Sequence, residues 1–163
     1  MSKFIMQFLR QAICVFCLIN LAGCSDNDKG PTKPTAPDLA AERSAIESAY
    51  RAWSQAQIAQ NYSQAISYTA PGGNGYNMVV MAKSYWDDGW QYYFDIQYIE
   101  AWLDAEDLGN AYGEAVGNVR FYQYKPSEGA QTTYHGLYSS CRKLNGKWKI
   151  DGVNINLDQD WWR

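Results

Sequence analysis

Residues 134–156, YHGLYSSCRKLNGKWKIDGVNIN, decide the fold of this chain. Two runs of alternating apolar and polar residues flank Asn145-Gly146, and this dipeptide between such runs is the strongest short signal of a β-hairpin with a two-residue turn. Such a turn fixes the register, because residues at equal distances from it lie opposite each other. The predicted pairs are Leu144 with Lys147, Cys141 with Ile150, and Tyr138 with Val153.

The second strand of this hairpin changes its pattern part-way along. Its apolar positions move from even numbers, at Trp148 and Ile150, to odd numbers from Val153 onward. A flat strand cannot place both sets on one face, because successive side chains point to opposite sides. We therefore predict a β-bulge near Asp151-Gly152, which bends the strand and curls the sheet around the elements packed on its inner face.

Four segments after residue 95 have the composition and the turn spacing of strands. They cover residues 96–104, 110–125, 131–144 and 147–157. In the second segment, alternation places four small residues on one face, which leaves space there. Either a helix backbone approaches closely at that face or a cavity opens. The four small residues are Ala111, Gly113, Ala115 and Gly117.

Three helical segments precede these strands. Asp38 is a capping residue for a long amphipathic helix that ends near Gln60. Asn61 caps a short second helix, which Pro71 ends, and a flexible loop follows at residues 72–76. A run of aromatic residues at helical spacing then predicts a third helix with one aromatic face, from about Lys83 to Asp95. Helices followed by an antiparallel sheet predict an α+β fold.

The order of these elements and three stretches of sequence resemble the SnoaL-like and DUF4440 branch of the NTF2-like superfamily. The stretches are AIESAYRAWSQAQIAQNYSQAISYTAP at 45–71, DLGNAYGEAVG at 107–117, and the hairpin at 134–156. The three stretches occur in the right order, and the resemblance covers nearly all of residues 38–158. The residues in these stretches belong to the hairpin, the packed face of the first helix and the core. None of the stretches is a motif for a catalytic acid or base.

The resemblance implies a ketosteroid-isomerase-like, or cystatin-like, cone. In such a cone three N-terminal helices pack on a curved antiparallel sheet of four or more strands, and a pocket lies between the helices and the concave sheet face. The superfamily includes isomerases, cyclases and proteins without known catalysis, so the fold does not imply a reaction. Its members often pair through the sheet, which makes a homodimer an expectation for this chain.

The start of the chain predicts a lipoprotein signal peptide over residues 1–23. An apolar run ends in Leu21-Ala22-Gly23-Cys24, which resembles the lipobox of bacterial lipoproteins, in which the cysteine thiol is lipidated and becomes the first residue. The alternative is an ordinary secretory signal cut at a small-residue site. Ser25 in place of Asp follows the cysteine, and by the lipoprotein sorting rule this favours the outer membrane, facing the periplasm, in a host with two membranes.

A flexible linker is predicted over residues 24–37, because this segment contains three prolines and almost no apolar residue. Residues 38–163 then form a single domain anchored to the membrane through Cys24.

The charge balance argues against a nucleic-acid partner. The chain has 14 basic and 17 acidic side chains, and removal of residues 1–23 takes away two basic side chains and no acid. Nucleic-acid binding needs clustered Lys and Arg that displace counterions from the phosphates. An acidic chain without such clusters does not meet this requirement.

The cysteine and histidine content leaves no basis for a metal or cofactor site. After loss of the signal peptide and acylation of Cys24, Cys141 is the only thiol, so the mature chain forms no internal disulfide. His135 is the only histidine, which excludes a zinc site of Cys and His ligands. The acidic residues at 104–107 lack the alternation of a calcium loop and lie where a turn is expected. We expect no metal and no cofactor.

His135 is the first candidate for general acid–base catalysis, since imidazole is the side chain that titrates near neutral pH. By the hairpin register it shares the concave face with Leu137 and Trp148. Asp95 and Glu114 are candidate catalytic carboxylates, either of which would orient the imidazole. The alternative interpretation is a strand histidine that is half exposed or bonded to a backbone carbonyl.

Aromatic residues make up 15% of the chain and point to a ligand site. Tyr and Trp carry a polar tip on an apolar body, which suits pockets for flat or amphiphilic ligands. Trp86, Trp90 and Tyr93 are therefore candidate ligand-binding residues, together with His135, and core packing is the alternative for each. Trp161-Trp162 has two interpretations, docking onto the domain or contact with a partner or a membrane surface.

Three functional hypotheses follow. The first is a lipid-anchored domain that binds a small, partly apolar ligand or a protein partner in or beside an aromatic-lined pocket, without catalysis. The second is an isomerase- or cyclase-type enzyme that uses His135 or a pocket carboxylate as general acid or base. The third is a dimeric interaction module.

Overall fold

A computed structural model describes residues 38–157, which form four helices and four strands. The strands make one antiparallel sheet in the order β1-β2-β3-β4, so the α+β prediction is confirmed. No helix within residues 38–157 is both long and apolar enough to cross a bilayer. The helices are α1 (Leu39–Ile58), α2 (Tyr62–Ser67), α3 (Asn74–Asp87) and α4 (Ala105–Gly109), and the strands are β1 (Gln91–Trp102), β2 (Tyr112–Lys125), β3 (Gly129–Leu144) and β4 (Lys147–Leu157).

Several predictions from the sequence fall outside this range. They are the signal peptide at 1–23, lipidation of Cys24, the linker at 24–37, and the contacts of Trp161-Trp162.

The β3–β4 hairpin has the predicted turn. Asn145 and Gly146 both have positive φ values, 51° and 74°, as a two-residue turn of this type requires. Leu144 lies opposite Lys147, and the register continues as predicted to the pair of Cys141 with Ile150.

The predicted bulge is present in β4 at Asp151. Ile150 lies opposite Cys141 but Gly152 lies opposite Ser140, so Asp151 is the extra residue. Because of the bulge, the predicted pair of Tyr138 with Val153 is wrong. Val153 lies opposite Ser139, and Tyr138 lies opposite Asn154. Because the extra residue restores the alternation, the side chains on both sides of it reach the core. Trp148 is 5% exposed, Ile150 0% and Val153 7%.

Helix α1 begins at the predicted cap, where the Asp38 carboxylate accepts hydrogen bonds from two backbone N–H groups. The helix runs antiparallel to β1 and is tied to it along its length. Arg43 donates to the Leu103 carbonyl, and the Ser54 hydroxyl accepts from the Ile96 N–H at 3.0 Å. The inner face of α1 forms the middle of the core.

The third helix differs from its prediction. It spans Asn74–Asp87 rather than 83–95, and Gly89, with φ 81°, follows its end. The helix starts inside the segment predicted as a loop, and its first turn packs closely on β4: a Cβ on Gly75 would come within 2.9 Å of the Ile150 side chain. Residues 91–96 alternate between exposed or half-buried and buried positions, and they belong to β1.

The small residues of β2 are explained by close approach of neighbouring elements. A Cβ on Gly113 would lie 3.0 Å from the Ile46 side chain of α1. A Cβ on Gly117 would overlap the Tyr98 carbonyl, which lies beside a bulge in β1. The predicted approach of a helix backbone is thus not what fills the space at these two positions: a helix side chain occupies it at Gly113, and the backbone of the neighbouring strand occupies it at Gly117.

Candidate functional site

A cavity of about 750 Å³ opens on the concave face of the sheet, between α3 and the inner side of all four strands. Most of its lining residues are apolar or aromatic, although polar atoms make up about half of the exposed wall. The bulge in β4 contributes to its shape, because Val153 and Ile155 line the cavity only after the register shift. Helix α3 contributes Asn74, Met78 and Met81, and strands β1 and β2 contribute Tyr92, Phe94 and Phe121.

The floor of the cavity is a cluster of three aromatic rings. Phe94 stacks on Phe121 with ring centroids 5.2 Å apart, and Tyr92 meets both rings edge to face, at 5.7 Å and 4.9 Å. Behind the floor, Trp53 of α1 lies parallel to Phe94 at 6.4 Å. Burial raises the pKa of Tyr92 to about 12, so this phenol stays neutral at physiological pH.

Four residues contribute polar side chains other than tyrosine to the cavity, namely Asn74, Thr133, His135 and Asn154. His135 Nε2 lies 3.0 Å from Thr133 Oγ1, and both residues line the cavity. Asn74 donates a hydrogen bond from its side-chain amide to the Val153 carbonyl at 2.6 Å, which joins α3 to β4. A ligand would therefore meet both aromatic and aliphatic surface and a set of hydrogen-bonding groups, which suits a partly apolar molecule.

The structure does not bring the two candidate carboxylates to His135. Alternation along β1 and β2 puts Asp95 and Glu114 on the outer sheet face, whereas His135 faces inward opposite Val119. Asp95 forms an ion pair with Arg120 at 2.6 Å instead. Of the residues described as lining the cavity, none is an Asp or a Glu.

Glu114 belongs to a tyrosine cluster on the outer face. Its Oε1 accepts hydrogen bonds from the hydroxyls of Tyr112 at 2.8 Å and Tyr138 at 2.5 Å. The hydrogen bond to Glu114 is the main cause of the raised pKa of Tyr138, and burial is the main cause of the raised pKa of Tyr112. This carboxylate is thus held in place by two neutral phenols.

The predicted aromatic ligand residues lie elsewhere. Trp86 donates its indole N–H to the Tyr92 carbonyl at 2.6 Å and packs against the core. Trp90 packs against the edge of another ring, and Tyr93 stacks on Tyr122 of the outer face at 5.0 Å. Of the four predicted ligand-binding residues, the cavity contains His135 alone.

Tyr92 and Phe94 are the site residues that sequence reasoning missed. The signal was present, because residues 92, 94 and 96 are apolar at alternate positions, as in a strand with one buried face.

A second cavity, of about 700 Å³, lies between α1 and the β3–β4 hairpin. Alanines of α1 form one wall and Trp148 the other. Its charged groups are engaged with each other: Glu42 accepts from Lys143 at 2.5 Å and from the Trp148 indole at 2.7 Å. These hydrogen bonds lower the pKa of the Glu42 carboxyl, the one from Lys143 most. We regard this groove as the weaker candidate, because its polar side chains stabilise the hairpin.

Comparison with known proteins identifies the fold. No known family profile matches the chain, and no curated protein matches its sequence. Solved structures do match. An uncharacterized protein with a cystatin-like fold from Caulobacter vibrioides superimposes with a TM-score of 0.54 at 14% identity, over 72% of this chain and 89% of that one. The fold is NTF2-like, or cystatin-like.

Two further solved structures with this fold come from proteins of other kinds. A putative calcium/calmodulin-dependent protein kinase II association domain from Xanthomonas campestris has a TM-score of 0.53 at 13% identity, over 71% of this chain and 86% of that one. Naphthalene 1,2-dioxygenase with indole bound in its active site has a TM-score of 0.56 at 8% identity, over 72% of this chain and 79% of that one. At these identities the likeness shows the fold alone.

Proposed function

We propose that this chain is a lipid-anchored protein of the SnoaL-like and DUF4440 branch of the NTF2-like superfamily, and that its concave cavity binds a small, partly apolar ligand without catalysing a reaction. The observation that carries the proposal is the chemistry of the cavity wall. A volume of about 750 Å³ falls in the range of small-molecule sites, which are mostly apolar with a few placed polar groups.

The polar groups support binding more than catalysis. General acid–base catalysis needs a proton-transferring side chain within reach of the substrate, and usually a partner that orients it. His135 has a hydroxyl neighbour in Thr133, and the carboxylates Asp95 and Glu114 are engaged on the opposite sheet face. The polar groups of the cavity are thus suited to orient a ligand by hydrogen bonds.

The ligand proposal is tested with matched variants on β3. Thr133 lines the cavity, and Thr132 is its neighbour on the outer face. Thr133→Phe is expected to fill part of the cavity and weaken binding of anilinonaphthalene sulfonate at least tenfold by calorimetry, whereas Thr132→Phe leaves it unchanged. Equal affinities of the two variants would place the dye elsewhere and contradict the proposal.

The native ligand is sought by mass spectrometry of the full-length protein extracted with its lipid under non-denaturing conditions. A mass adduct that is retained by wild type and Thr132→Phe, and lost from Thr133→Phe, is the expected result.

The position of His135 favours a second candidate function, an isomerase- or cyclase-type enzyme. It is the one titratable side chain, other than tyrosine, among the described residues lining this cavity. The experiment is His135→Ala, with Thr133→Ala as the control that removes only the hydrogen-bond partner. Substrate turnover that is present in wild type and lost in His135→Ala alone would establish the enzyme and overturn the proposal of binding without catalysis.

Anchoring rests on the Cys24 lipobox and the proline-containing segment at 24–37 that follows it. Metabolic labelling with an alkyne fatty acid is expected to label the wild type in the membrane fraction, the outer one in a host with two membranes. Cys24→Ser is expected to abolish the label, whereas Cys17→Ser, inside the predicted signal peptide, retains it. A labelled Cys24→Ser protein would contradict the proposed anchor.

A further inference from the structure

Three buried polar atoms on the inner face of α1 have no hydrogen-bond partner among the residues described. They are the indole Nε1 of Trp53 and both side-chain atoms, Nε2 and Oε1, of Gln57. Gln57 is 0% exposed and Trp53 is 1% exposed. The two residues are four positions apart, so they are neighbours on one face of the helix.

This arrangement is unusual, because the other buried polar groups of α1 are paired. The Tyr50 hydroxyl donates to Ser139, and the Ser54 hydroxyl accepts from the Ile96 N–H. Folded proteins pair the large majority of their buried polar atoms, since an unpaired one loses its water without compensation. Three unpaired atoms within one helical turn indicate that a partner of matching chemistry belongs there.

The unpaired atoms lie behind the floor of the ligand cavity. Contacts between α1 and β1 advance in opposite directions along the two elements: Arg43 contacts Leu103, Ser54 contacts Ile96, and Trp53 stacks on Phe94. One turn further along α1, Gln57 is therefore level with the start of β1. Phe94 and Tyr92, the floor residues, occupy that part of the strand on its inner face.

We propose that Gln57 and Trp53 form an inner polar subsite behind the aromatic floor of this cavity, and that the ligand carries a lactam or carboxamide edge. The inference rests on the proposed ligand-binding function and specifies the class of ligand. A glutamine amide presents a donor and an acceptor side by side, which matches the C=O and N–H of a lactam. The indole N–H supplies a second donor for the same carbonyl.

The aromatic floor takes part in this binding mode. Phe94 lies between Trp53 and the cavity, so its ring, or that of Tyr92, must rotate for the ligand edge to reach the amide. The aromatic faces then stack on the flat part of the ligand while its polar edge is held beneath them. An ordered water is the competing occupant, and the test distinguishes the two.

The probes are 2-quinolone and naphthalene, which share a bicyclic shape and differ in the lactam edge. Calorimetry on the full-length protein is expected to show that wild type binds 2-quinolone at least tenfold more tightly than naphthalene. Gln57→Leu is expected to remove this preference. Gln55→Leu, on the exposed side of the same helix, is the control and is expected to keep it. Gln57→Met serves the same purpose if the leucine variant does not fold.

A direct readout comes from the Trp53 indole N–H resonance, assigned by its loss in Trp53→Phe. We expect this resonance to shift on addition of 2-quinolone and to stay in place with naphthalene. Equal binding of both probes, unaffected by Gln57→Leu, would overturn the subsite and leave the ligand cavity intact, with a water as the occupant. Failure of both probes to bind would count against the subsite, and the dye experiment with Thr133→Phe then decides the cavity separately.

Discussion

The Tyr50 hydroxyl donates a hydrogen bond to Ser139 Oγ at 2.5 Å, across the core between α1 and β3. Ser139 Oγ in turn donates to the carbonyl of Gly152, the residue after the bulge in β4. Tyr50 and Ser139 are 0% and 1% exposed. This relay ties the long helix to the point where the sheet bends, and so it helps to fix the concave face that forms the cavity.

Breaking the relay is expected to destabilise the fold in proportion to the groups left unpaired. Tyr50→Phe leaves Ser139 its bond to Gly152, so we expect a loss of about 1 kcal/mol in the free energy of unfolding. Ser139→Ala removes the bond to Gly152 and leaves the buried Tyr50 hydroxyl only its longer bond to the Ser140 carbonyl, at 3.3 Å, so we expect about 2 kcal/mol. Urea unfolding measures both. Tyr134→Phe, at a tyrosine 53% exposed on the outer face, is the control and is expected to change little.

Gly117→Ala is expected to be among the most damaging small substitutions in the sheet. Its new methyl group would overlap the Tyr98 carbonyl oxygen, a backbone atom that cannot move without disturbing the bulge in β1. We expect a loss of about 3 kcal/mol, measured by urea unfolding. Gly109→Ala has no atom within 4 Å of the new methyl group and is expected to stay within about 0.5 kcal/mol of wild type. Similar losses in the two variants would contradict the steric account.

The hairpin was predictable because its information is local. Asn145-Gly146 fixes the turn, and the switch from even to odd apolar positions after Ile150 requires a bulge wherever the strand keeps one face buried. The exact pairing beyond the bulge was not predictable, since the sequence does not say which residue is the extra one. That difference moved Val153 from Tyr138 to Ser139.

The third helix shows where local patterns are ambiguous. Aromatic residues from 86 to 94 satisfy helical spacing and, from 92 onward, strand alternation as well. Gly89 decides between them: with φ 81° it follows the helix end and directs the chain into β1. The first turn, from Asn74, packs through Gly75 against Ile150, a long-range contact that sequence alone does not reveal. Only once residues 91–96 are assigned to β1 rather than to the helix do Tyr92 and Phe94 lie on the inner sheet face that lines the cavity.

Stability toward acid is expected to depend on Glu42. Hydrogen bonds from Lys143 and Trp148 lower the pKa of this carboxyl in the folded state below its value of 4.5 in a model compound. The unfolded chain therefore takes up the proton first, and the contribution of Glu42 is present above pH 4.5 and lost as the pH falls below it. Because the pair is partly exposed, we expect at most about 1 kcal/mol. Urea midpoints of Glu42→Gln should fall less steeply from pH 6 to pH 3 than those of the control Glu128→Gln.

Stability at alkaline pH is expected to depend on Cys141, which is 1% exposed beneath α1. Burial, with a smaller effect from the carboxylates of Glu114 and Asp151, raises the pKa of this thiol to about 12 from 9.0 in a model compound. Above pH 9 the unfolded chain releases the proton while the folded chain keeps it, so the folded state loses stability as the pH rises toward 12. Between pH 9 and pH 10 the thiol is expected to account for a loss of about 1 kcal/mol, in addition to that from buried tyrosines, which wild type and a cysteine variant share. Cys141→Ala, although less stable overall because of the vacated volume, should lose less between these two pH values, as measured by urea unfolding. Parallel decreases in wild type and variant would show that another group titrates in this range and that the buried thiol does not set the alkaline limit of the fold.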